Sequence, residues 1–346
     1  MTTKKITFSS QTVSYYFDSS LEQLDKLTSP DNTFIITDEH IYAKHTRRFK
    51  NWRTIVIKPG EVYKVQATVD SIIEQLIALG ADRKSCLVGV GGGVVTDITG
   101  YVAGIYMRGI QVGFVPTTIL AMVDASIGGK NGIDVGIYKN MVGLIRQPSF
   151  LVYDYSLLKS LPKEEWVNGF AEIIKHACIK DAAMFGLLEQ NKLTTFQKDK
   201  VLLNQLIQRN ALLKSKVVQQ DEFEQGDRKL LNFGHTLGHA IENSYGLSHG
   251  QAVAIGMVVA AALSAEYKKF KDTERLVSLI QRYGLPAFTS FDAVKAMEVM
   301  QSDKKRVKDV IHYVLLEKTG KGVVMPLTPQ QIEPIVKKLA QPSKSK

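Results

Sequence analysis

The sequence of 346 residues is poor in cysteine and has no long hydrophobic run. Its two cysteines, Cys86 and Cys178, lie in apolar surroundings without C-x-x-C spacing, which excludes a disulfide-rich scaffold and favours a reduced, cytoplasmic protein. The longest apolar stretch, 252–263, is shorter than the roughly 18 residues of a membrane span, so it predicts a buried helix. Because Lys4 and Lys5 are followed by no apolar segment, we expect no secretory signal.

The sequence also has no internal repeat and no regular alternation of basic and aromatic residues. Its hydrophobic content of 45% is that of an ordinary globular protein. Lysine and arginine outnumber aspartate and glutamate by 44 to 34, and the resulting net charge of +10 attracts anions. Without aromatic stacking positions, this charge favours a small phosphorylated substrate, and we expect neither a nucleic-acid nor a membrane partner.

The first half of the chain alternates short apolar runs with helical patterns. This alternation predicts an α/β domain in which helices cover both faces of a parallel sheet. The predicted strands include residues 34–37, 54–57 and 86–90, and the predicted helices include residues 65–79 and a segment ending at Ile105.

From about Leu157 onward the pattern is helical almost without strands. The predicted helices span residues 162–179, 200–219, 231–244, 250–269 and 273–283. At about 150 residues per domain, we expect an α/β domain over residues 1–152 and an all-α domain over residues 153–346. The boundary is expected within 147–155, with the site in the cleft between the domains.

Two glycine-rich segments are candidate anion sites. Gly91-Gly92-Gly93 connects a predicted strand to a helix, which allows the backbone to approach a phosphate. Val94 stands where G-x-G-x-x-G requires its third glycine, so the domain is not a standard Rossmann domain. A tight turn explains this loop equally well. Gly128-Gly129 precedes Lys130, which either binds a second anionic group or lies solvated on a surface turn.

Three of the seven histidines lie close together in sequence. His235 and His239 share one face of a predicted helix, and His249 follows at the start of the next helix, which indicates a metal centre or a proton relay. Spacing alone nominates His235 and His239 as ligands. Glu172 is a further candidate ligand, since a carboxylate among apolar residues needs a partner. An exposed ion pair between Glu172 and Lys175 is the alternative.

In this order, the segments resemble the 3-dehydroquinate synthases of the sugar-phosphate cyclase superfamily. The resemblance covers about residues 37–319. The motifs that carry it are Gly-Gly-Gly-Val-Val-Thr-Asp (91–97), Tyr-Met-Arg-Gly (106–109), Pro-Thr-Thr (116–118), Val-Asp-Ala-Ser-Ile-Gly-Gly-Lys (123–130), Lys-Asn (139–140), Gly-Phe-Ala-Glu-Ile-Ile-Lys (169–175), Leu-Asn-Phe-Gly-His-Thr-Leu-Gly-His-Ala-Ile-Glu (231–242), His-Gly (249–250) and Asp-Lys-Lys (303–305).

The resemblance implies the residues of each site. It implies zinc, or cobalt in its place, held by Glu172, His235 and His249, and this assigns His239 to proton or substrate handling against the spacing argument. The implied NAD contacts are Asp38, Glu61, Lys64, Gly92, Asp97, Thr117, Thr118, Asp124, Lys130, Lys139 and Ser160. The implied substrate and catalytic residues are Lys130, Asn140, Lys175, Lys214, Arg228, Asn232, His239 and Lys304, with Arg108 supplied by the partner subunit of a homodimer.

The implied reaction converts 3-deoxy-D-arabino-heptulosonate 7-phosphate to 3-dehydroquinate and phosphate, a step of the shikimate pathway. In this family NAD oxidises C5, phosphate is eliminated, hydride returns, the ring opens and an intramolecular aldol closes the carbocycle. A sister cyclase, such as 2-deoxy-scyllo-inosose or epi-valiolone synthase, is one alternative. A polyol dehydrogenase that releases NADH and a non-catalytic protein that has kept the fold are two others.

The chain departs from the common family pattern at four positions. Thr96 replaces a glycine, Asn131 a threonine, Phe223 an arginine and Gln251 the glutamate after His-Gly. None of these changes removes an implied metal ligand or substrate lysine. Thr96 is expected to crowd the pyrophosphate and Gln251 to alter metal affinity, because it removes a charge beside His249.

Overall fold

A computed structural model describes residues 1–136, 138–242, 244–302 and 310–340. The chain divides into two compact units. The first consists of Met1–Glu165 and Val201–Phe223, and the second consists of Trp166–Lys200 and Glu224–Lys346. Lys304, an expected substrate residue, lies outside the described residues.

The helices and strands are numbered separately along the chain. The strands are β1 (Thr2–Thr7), β2 (Thr12–Phe17), β3 (Thr33–Asp38), β4 (Arg53–Ile57), β5 (Cys86–Gly91), β6 (Gln111–Pro116), β7 (Lys130–Val135), β8 (Tyr138–Ile145), β9 (Phe150–Val152), β10 (Ile311–Lys318) and β11 (Lys321–Leu327). The helices are α1 (Glu39–Phe49), α2 (Gln66–Ala78), α3 (Gly93–Ile105), α4 (Lys163–Lys180), α5 (Ala182–Gln190), α6 (Leu193–Lys198), α7 (Lys200–Gln220), α8 (His235–Glu242), α9 (His249–Lys268), α10 (Thr273–Arg282), α11 (Ala293–Ser302) and α12 (Pro329–Ala340).

A seven-stranded sheet organises the first unit. Its order is β1-β2-β9-β6-β5-β3-β4, and every neighbouring pair is parallel except β1 and β2. All six residues of β5 are buried, as a strand covered on both faces requires. The parallel-sheet α/β domain is therefore confirmed. Because β4 lies outside β3 while β6 and β9 lie beyond β5, the strand order reverses between β3 and β5, where such sheets bind ligands.

Two hairpins in the first unit were not predicted. β1 and β2 form an antiparallel pair that extends the sheet, and β7 and β8 form a separate two-stranded sheet packed on α3. In β2, Val13, Tyr15 and Phe17 are buried while the intervening residues are less so. This alternation is the signal for a strand with one face in the core.

The second unit is helical, as expected, but it is not all-α. β10 and β11 form an antiparallel hairpin, so the all-α prediction is wrong at this point. The hairpin turns at Gly320, whose φ of +82° lies in the left-handed region that glycine adopts readily. The backbone N–H of Leu316 donates to Ser264 Oγ of α9 at 2.8 Å, which fixes the hairpin on that helix.

The long apolar helix α9 was predicted to be a core helix. By length and composition it is long and apolar enough to cross a membrane, but 72% of its most apolar window is buried inside the protein. It packs against α8, α10 and β10. Burial by these neighbours is typical of the core helix of a soluble fold.

The first unit extends beyond the predicted boundary at residue 152 and takes in α7. Two contacts tie this part of the chain to the first unit: the hydroxyls of Tyr15 and Ser215 lie 2.8 Å apart, and Ser9 N–H donates to Glu222 at 2.8 Å. The assignment of folding domains to residues 1–152 and 153–346 stays a prediction.

Candidate active site

The carboxyl ends of three neighbouring strands gather several expected cofactor residues. Asp38 ends β3, Gly92 follows β5 and Thr117 follows β6. Thr117 N–H donates to the carbonyl oxygen of Gly91 at 2.9 Å, which joins the last two loops. The buried hydroxyl of Thr117 has no hydrogen-bond partner among the described residues. A buried hydroxyl at this edge is suited to a polar ligand, since an unsatisfied polar atom costs stability.

The glycine loop after β5 is required by packing as well as by any ligand. A Cβ on Gly91 would lie 2.5 Å from the side chain of Val95, and one on Gly92 would lie 3.2 Å from Thr118. α3 starts with Gly92 at its N-cap and no side-chain cap, so the N–H groups of its first turn have no side-chain acceptor there. Together these features fit the pyrophosphate of a dinucleotide.

Thr96, one of the departures, lies inside α3. Its side chain is buried, and Thr96 Oγ1 donates to the carbonyl oxygen of Gly93 at 3.0 Å. A threonine hydroxyl that bonds to the preceding turn is a common arrangement in helices. The helix therefore accommodates this residue.

Buried Lys64 links Asp97 to the exposed Asn140 in a hydrogen-bonded network of the first unit. Lys64 Nζ donates to Asp97 Oδ2 at 2.5 Å and to Asn140 Oδ1 at 2.6 Å. Asn140 has φ of 54°, and its N–H donates to Asp134 Oδ1 at 2.7 Å. Burial lowers the pKa of Lys64, but the carboxylates of Asp97 and Glu61 outweigh this effect and raise it above its usual value. Sequence reasoning missed Asp134, whose carboxylate fixes the strained backbone of Asn140.

A second charged pair joins Asp124 and Lys214. Lys214 Nζ lies 2.8 Å from Asp124 Oδ1 and donates to the backbone carbonyl oxygen of Asp124, also at 2.8 Å. Asp124 lies in the π-helical segment Ala121–Ala125, and Lys214 is a buried residue of α7. The structure therefore brings together an expected cofactor residue and an expected substrate residue.

Asn131, another departure, holds the loop before Lys130. Its Nδ2 donates to the carbonyl oxygens of Gly129 at 2.7 Å and of Arg146 at 3.0 Å. These bonds position the start of β7, where Lys130 is exposed. The glycine pair and its lysine therefore form an ordered turn at the head of a hairpin.

The remaining expected residues of the first unit lie at separate positions. Asp38 caps α1 by accepting from Ile41 N–H at 3.0 Å. Ser160 Oγ lies 2.9 Å from His45 Nε2, a partner that sequence reasoning missed. Thr118 Oγ1 accepts from Ala121 N–H at 3.1 Å, Lys139 lies in β8, Glu61 begins the 3₁₀ segment Glu61–Tyr63, and Arg108 is exposed with φ of 67°.

Glu172, His235 and His249 converge in the second unit. Glu172 is fully buried on α4, and the two histidines are the first residues of α8 and α9. Glu172 Oε1 lies 3.5 Å from His235 Nε2 and 3.4 Å from His249 Nε2, and one ligand atom of each residue lies within 4.8 Å of the others. A carboxylate oxygen and two imidazole nitrogens at this separation fit a divalent metal with open positions for substrate.

Both imidazoles are held at the ring nitrogen that faces away from Glu172. His235 Nδ1 lies 3.2 Å from the carbonyl oxygen of Phe233, and because a carbonyl only accepts, Nδ1 carries the hydrogen and leaves Nε2 for a metal. His249 Nδ1 lies 3.5 Å from Glu242 Oε2. Glu242 is a site residue that sequence reasoning missed, although it closes the motif 231–242.

The charges around this cluster affect its two histidines differently. Burial, and then the charge of Lys175, lower the pKa of His235 well below its usual value. Burial also lowers the pKa of His249, but its hydrogen bonds to Glu172 and Glu242 raise it to about 9. Lys175 forms an ion pair with Glu172, and both residues are buried, so an exposed surface pair is excluded.

His239 lies beside the cluster. Its ring centroid is 5.2 Å from that of His235 and 6.5 Å from that of His249. The three residues whose ligand atoms converge are Glu172, His235 and His249, and His239 is not among them. The helical spacing of His235 and His239 therefore did not identify this group, and the assignment of the ligands stays a prediction.

A contact between α4 and α9 explains the glycine after His249. Gly250 N–H donates to Asn168 Oδ1 at 2.5 Å, and a Cβ on Gly250 would lie 2.4 Å from the carbonyl oxygen of Asn168. Asn168 is one turn before Glu172 on α4. This contact therefore holds His249 near the carboxylate, and the His-Gly sequence was its signal.

Arg228 and Asn232 lie on the 3₁₀ segment Asp227–Asn232, just before α8. Arg228 is buried, and Asn232 Nδ2 donates to Glu224 Oε1 at 2.7 Å. Glu224 was not predicted as a site residue. Phe223, the third departure, is exposed, and nothing in the structure explains it.

The fold and the cluster of Glu172, His235 and His249 place the chain in the class of sugar-phosphate cyclases. The solved structure of 2-deoxy-scyllo-inosose synthase complexed with carbaglucose-6-phosphate, NAD+ and Co2+ matches with a TM-score of 0.83 and 26% identity, covering 97% of this chain and 99% of that chain. Two family models also match: 3-dehydroquinate synthase N-terminal over residues 54–168 and 3-dehydroquinate synthase C-terminal over residues 169–306.

Relatives narrow the class to one family. The 3-dehydroquinate synthase of Pelobacter propionicus is 42% identical over 80% of this chain and 79% of its own length. That of Thermodesulfovibrio yellowstonii is 41% identical over 77% of this chain and 76% of its own length. The chain belongs to the 3-dehydroquinate synthase family, which confirms the resemblance seen in the sequence.

Proposed function

We propose that the protein converts 3-deoxy-D-arabino-heptulosonate 7-phosphate to 3-dehydroquinate and inorganic phosphate, acting as a carbon–oxygen lyase. The observation that carries this proposal is the convergence of Glu172, His235 and His249 in a chain about 40% identical to 3-dehydroquinate synthases. The chain is only 26% identical to the 2-deoxy-scyllo-inosose synthase of the solved structure, compared with about 40% for the 3-dehydroquinate synthases. The sister-cyclase alternative is therefore less favoured.

NAD is the proposed dinucleotide and zinc or cobalt the proposed metal. The structural relative was solved with NAD+ and Co2+, and the site described above offers donors for both. When bound, the metal polarises a substrate hydroxyl and NAD takes up and later returns a hydride. The residues proposed to contact NAD are Asp38, Glu61, Lys64, Gly92, Asp97, Thr117, Thr118, Asp124, Lys130, Lys139 and Ser160.

The chain's own residues bind and orient these groups. The first turn of α3 offers N–H donors to the pyrophosphate, and the Thr117 hydroxyl gains the partner it lacks among the described residues. Glu172, His235 and His249 would hold the metal, because the two Nε2 atoms approach the same carboxylate oxygen. Lys175 keeps a compensating positive charge beside Glu172.

Cations and amides are proposed to position the carboxylate and phosphate of the substrate. Such groups bind both anions through charge-assisted hydrogen bonds, and orientation lowers the barrier to each step. His239, close to both His235 and His249, is proposed to move protons. The proposed substrate residues are Lys130, Asn140, Lys175, Lys214, Arg228, Asn232, His239, Lys304 and the partner's Arg108.

The protein is proposed to act as a cytoplasmic homodimer. Both cysteines are free and buried, as a reducing compartment allows. β8 pairs with β7 on one side only, within the described residues, and it exposes Tyr138 and Met141 by 63% and 69%. An apolar strand edge of this kind is suited to covering by a second copy of the chain.

Phosphate release tests the reaction. The purified protein is incubated with 3-deoxy-D-arabino-heptulosonate 7-phosphate, NAD and zinc, before and after treatment with a chelator. We expect phosphate and dehydroquinate in equal amounts, loss of both after chelation and recovery with zinc. Release from glucose 6-phosphate or sedoheptulose 7-phosphate, but not from this substrate, would transfer the assignment to a sister cyclase.

Alanine variants test the metal ligands. We expect Glu172→Ala and His249→Ala to lose bound zinc, and His239→Ala to keep zinc while losing turnover. Zinc content is measured by elemental analysis and turnover by phosphate release. If His239→Ala lost zinc while His249→Ala retained it, the helical spacing would have identified the ligands correctly.

A further inference from the structure

The two histidines of the candidate metal site are arranged alike. Each directs Nε2 toward Glu172 Oε1, at 3.5 Å for His235 and 3.4 Å for His249. Each also has an oxygen near Nδ1: the carbonyl of Phe233 for His235 and the carboxylate of Glu242 for His249. An acceptor at the nitrogen that does not face the metal fixes the tautomer and the ring orientation.

The acceptors at the two Nδ1 atoms differ in charge. The backbone carbonyl at His235 is neutral, whereas Glu242 is a buried carboxylate at the last residue of α8, 3.5 Å from His249 Nδ1. A carboxylate in this place makes the imidazole a stronger metal ligand than a carbonyl does. The acceptor at His235 belongs to the backbone, whereas the acceptor at His249 belongs to a side chain, so only the contact at His249 can be changed by substituting one residue.

Gln251, the fourth departure from the family pattern, caps a helix and does not contact the Nδ1 atom of either histidine in the contacts described above. His249 begins α9, Ser248 is its N-cap, and Gln251 completes a capping box. Gln251 Oε1 accepts from Ser248 N–H at 2.9 Å, and Gln251 N–H reaches Ser248 Oγ at 3.4 Å. A glutamine carbonyl serves in a capping box as a glutamate carboxylate does, so the start of α9 is preserved without a charge.

We infer that Glu242 is the positioning residue for His249, and that it supplies the negative charge at this histidine while Gln251 is committed to the helix cap. The inference rests on the proposed function, because it assigns a role to Glu242 only if Glu172, His235 and His249 bind a metal. Under this inference the loss of a glutamate at position 251 leaves metal binding intact. We therefore expect metal affinity to depend on Glu242 and not, as the sequence suggested, on the residue at position 251.

The test compares zinc binding by three proteins: the unchanged chain, Glu242→Gln and the matched control Gln251→Glu. Glutamine at 242 keeps the size of the side chain and removes its charge. We expect Glu242→Gln to bind zinc about 10- to 100-fold more weakly. Gln251→Glu is expected to bind zinc as the unchanged chain does. Affinity is measured by titrating the metal-free proteins with zinc against a chelating indicator.

A second readout separates positioning from a structural effect. Cobalt is bound in place of zinc, and its visible absorption spectrum reports the geometry of the ligands. Glu242→Gln should change this spectrum while the metal-free variant melts at the temperature of the metal-free parent. Glu242→Ala should change zinc affinity and spectrum in the same direction.

The outcomes distinguish this inference from the proposed function. If the unchanged chain binds no zinc, the metal site and the role of Glu242 both fail. If the unchanged chain binds zinc and Glu242→Gln binds it equally well with the same cobalt spectrum, only the role of Glu242 fails. If Gln251→Glu tightens zinc binding markedly, position 251 supplies charge to His249 and the inference is overturned.

Discussion

At the scale of single residues, the site depends on buried charges that have specific partners. Lys64 with Asp97, Lys214 with Asp124, and Lys175 with Glu172 each place an ammonium beside a carboxylate. Burying an unpaired charge is costly, and a nearby opposite charge offsets part of that cost. Each of these pairs contains residues that the resemblance assigned to binding or catalysis, so the same groups affect stability and function.

Lys64→Met should destabilise the protein by about 3 kcal/mol at neutral pH, because it leaves the Asp97 carboxylate without its partner. Burial already raises the pKa of Asp97, and removal of the ammonium of Lys64 raises it further. An acid whose pKa is raised by folding costs stability when it is ionised, so the loss should shrink as the pH falls through the raised pKa of Asp97 toward the usual carboxyl pKa. Urea unfolding at two pH values measures this dependence.

The double variant Lys64→Met with Asp97→Asn is the control for this effect. It removes both charges, so it should cost less than Lys64→Met alone at neutral pH. A single variant as stable as the unchanged protein, or a loss that grows as the pH falls, would contradict the account of this pair.

The two cysteines should be inert in the native protein. Burial raises the pKa of Cys86 to about 11 and that of Cys178 further, and the reactive species is the thiolate. We expect a disulfide reagent to modify neither thiol in buffer and both in urea, as measured by the thiol absorbance assay. Rapid modification of one thiol in buffer would show that its burial is incomplete in solution.

At the scale of helices and strands, the segments that the sequence periodicity predicted lie within a few residues of observed helices and strands. The helix predicted over 65–79 is Gln66–Ala78, and the one over 200–219 is Lys200–Gln220. Long amphipathic or apolar segments carry a strong signal, because one face must be buried. The predicted helix over 231–244 was less accurate, since the chain forms the 3₁₀ segment Asp227–Asn232 before α8 starts at His235.

The elements that were not predicted include three hairpins and several short helices, and some site contacts join residues that are apart in sequence. The strands β7 and β8 follow a glycine pair that was interpreted as a loop, and β10 and β11 lie in a half whose helices dominated the pattern. Similarly, nothing local links Glu242 to His249, because their contact depends on how α8 packs on α9. The resemblance identified the converging Glu172, His235 and His249, whereas spacing did not.

The packing of α8 against α9 should tolerate no side chain at Gly256. A Cβ there would lie 1.8 Å from the carbonyl oxygen of Gly234, just before His235. We expect Gly256→Ala to destabilise the protein by about 2–3 kcal/mol or more, since the two helices must separate. Zinc affinity should fall too, because the same helices carry His235 and His249. Thermal unfolding and zinc titration measure both effects.

The same substitution in α5 is the matched control. A Cβ on Gly186 meets no atom within 4 Å, so Gly186→Ala should stabilise the protein by about 0.5–1 kcal/mol through the higher helix propensity of alanine. If Gly256→Ala were as stable as Gly186→Ala, with unchanged zinc affinity, the close packing of α8 on α9 would be wrong.

At the scale of the whole molecule, two features depend on more than one chain or one element. The exposed apolar residues of β8 lie next to Lys139 and Asn140, two proposed ligand-binding residues of that strand. Arg108 follows Met107, and both have positive φ values, 48° and 67°. Backbone strain of this kind in non-glycine residues is often found at functional sites. The proposed partner contact of Arg108 is consistent with it.

Met141→Glu should weaken the dimer by about tenfold or more, because a charge within an apolar interface costs more than about 1.4 kcal/mol. Sedimentation over a range of protein concentrations measures the dissociation constant. Ile77→Glu on the exposed side of α2 is the control and should leave association unchanged. A monomeric parent, or equal association of both variants, would contradict the proposed use of β8.

In the proposed reaction, NAD is used and regenerated within one turnover. The most direct measurement follows phosphate and NADH absorbance together in one reaction with 3-deoxy-D-arabino-heptulosonate 7-phosphate and a small amount of NAD. We expect the phosphate released to exceed the NAD supplied greatly while no NADH accumulates. Accumulation of NADH in proportion to substrate consumed, without release of phosphate, would show a dehydrogenase and contradict the account.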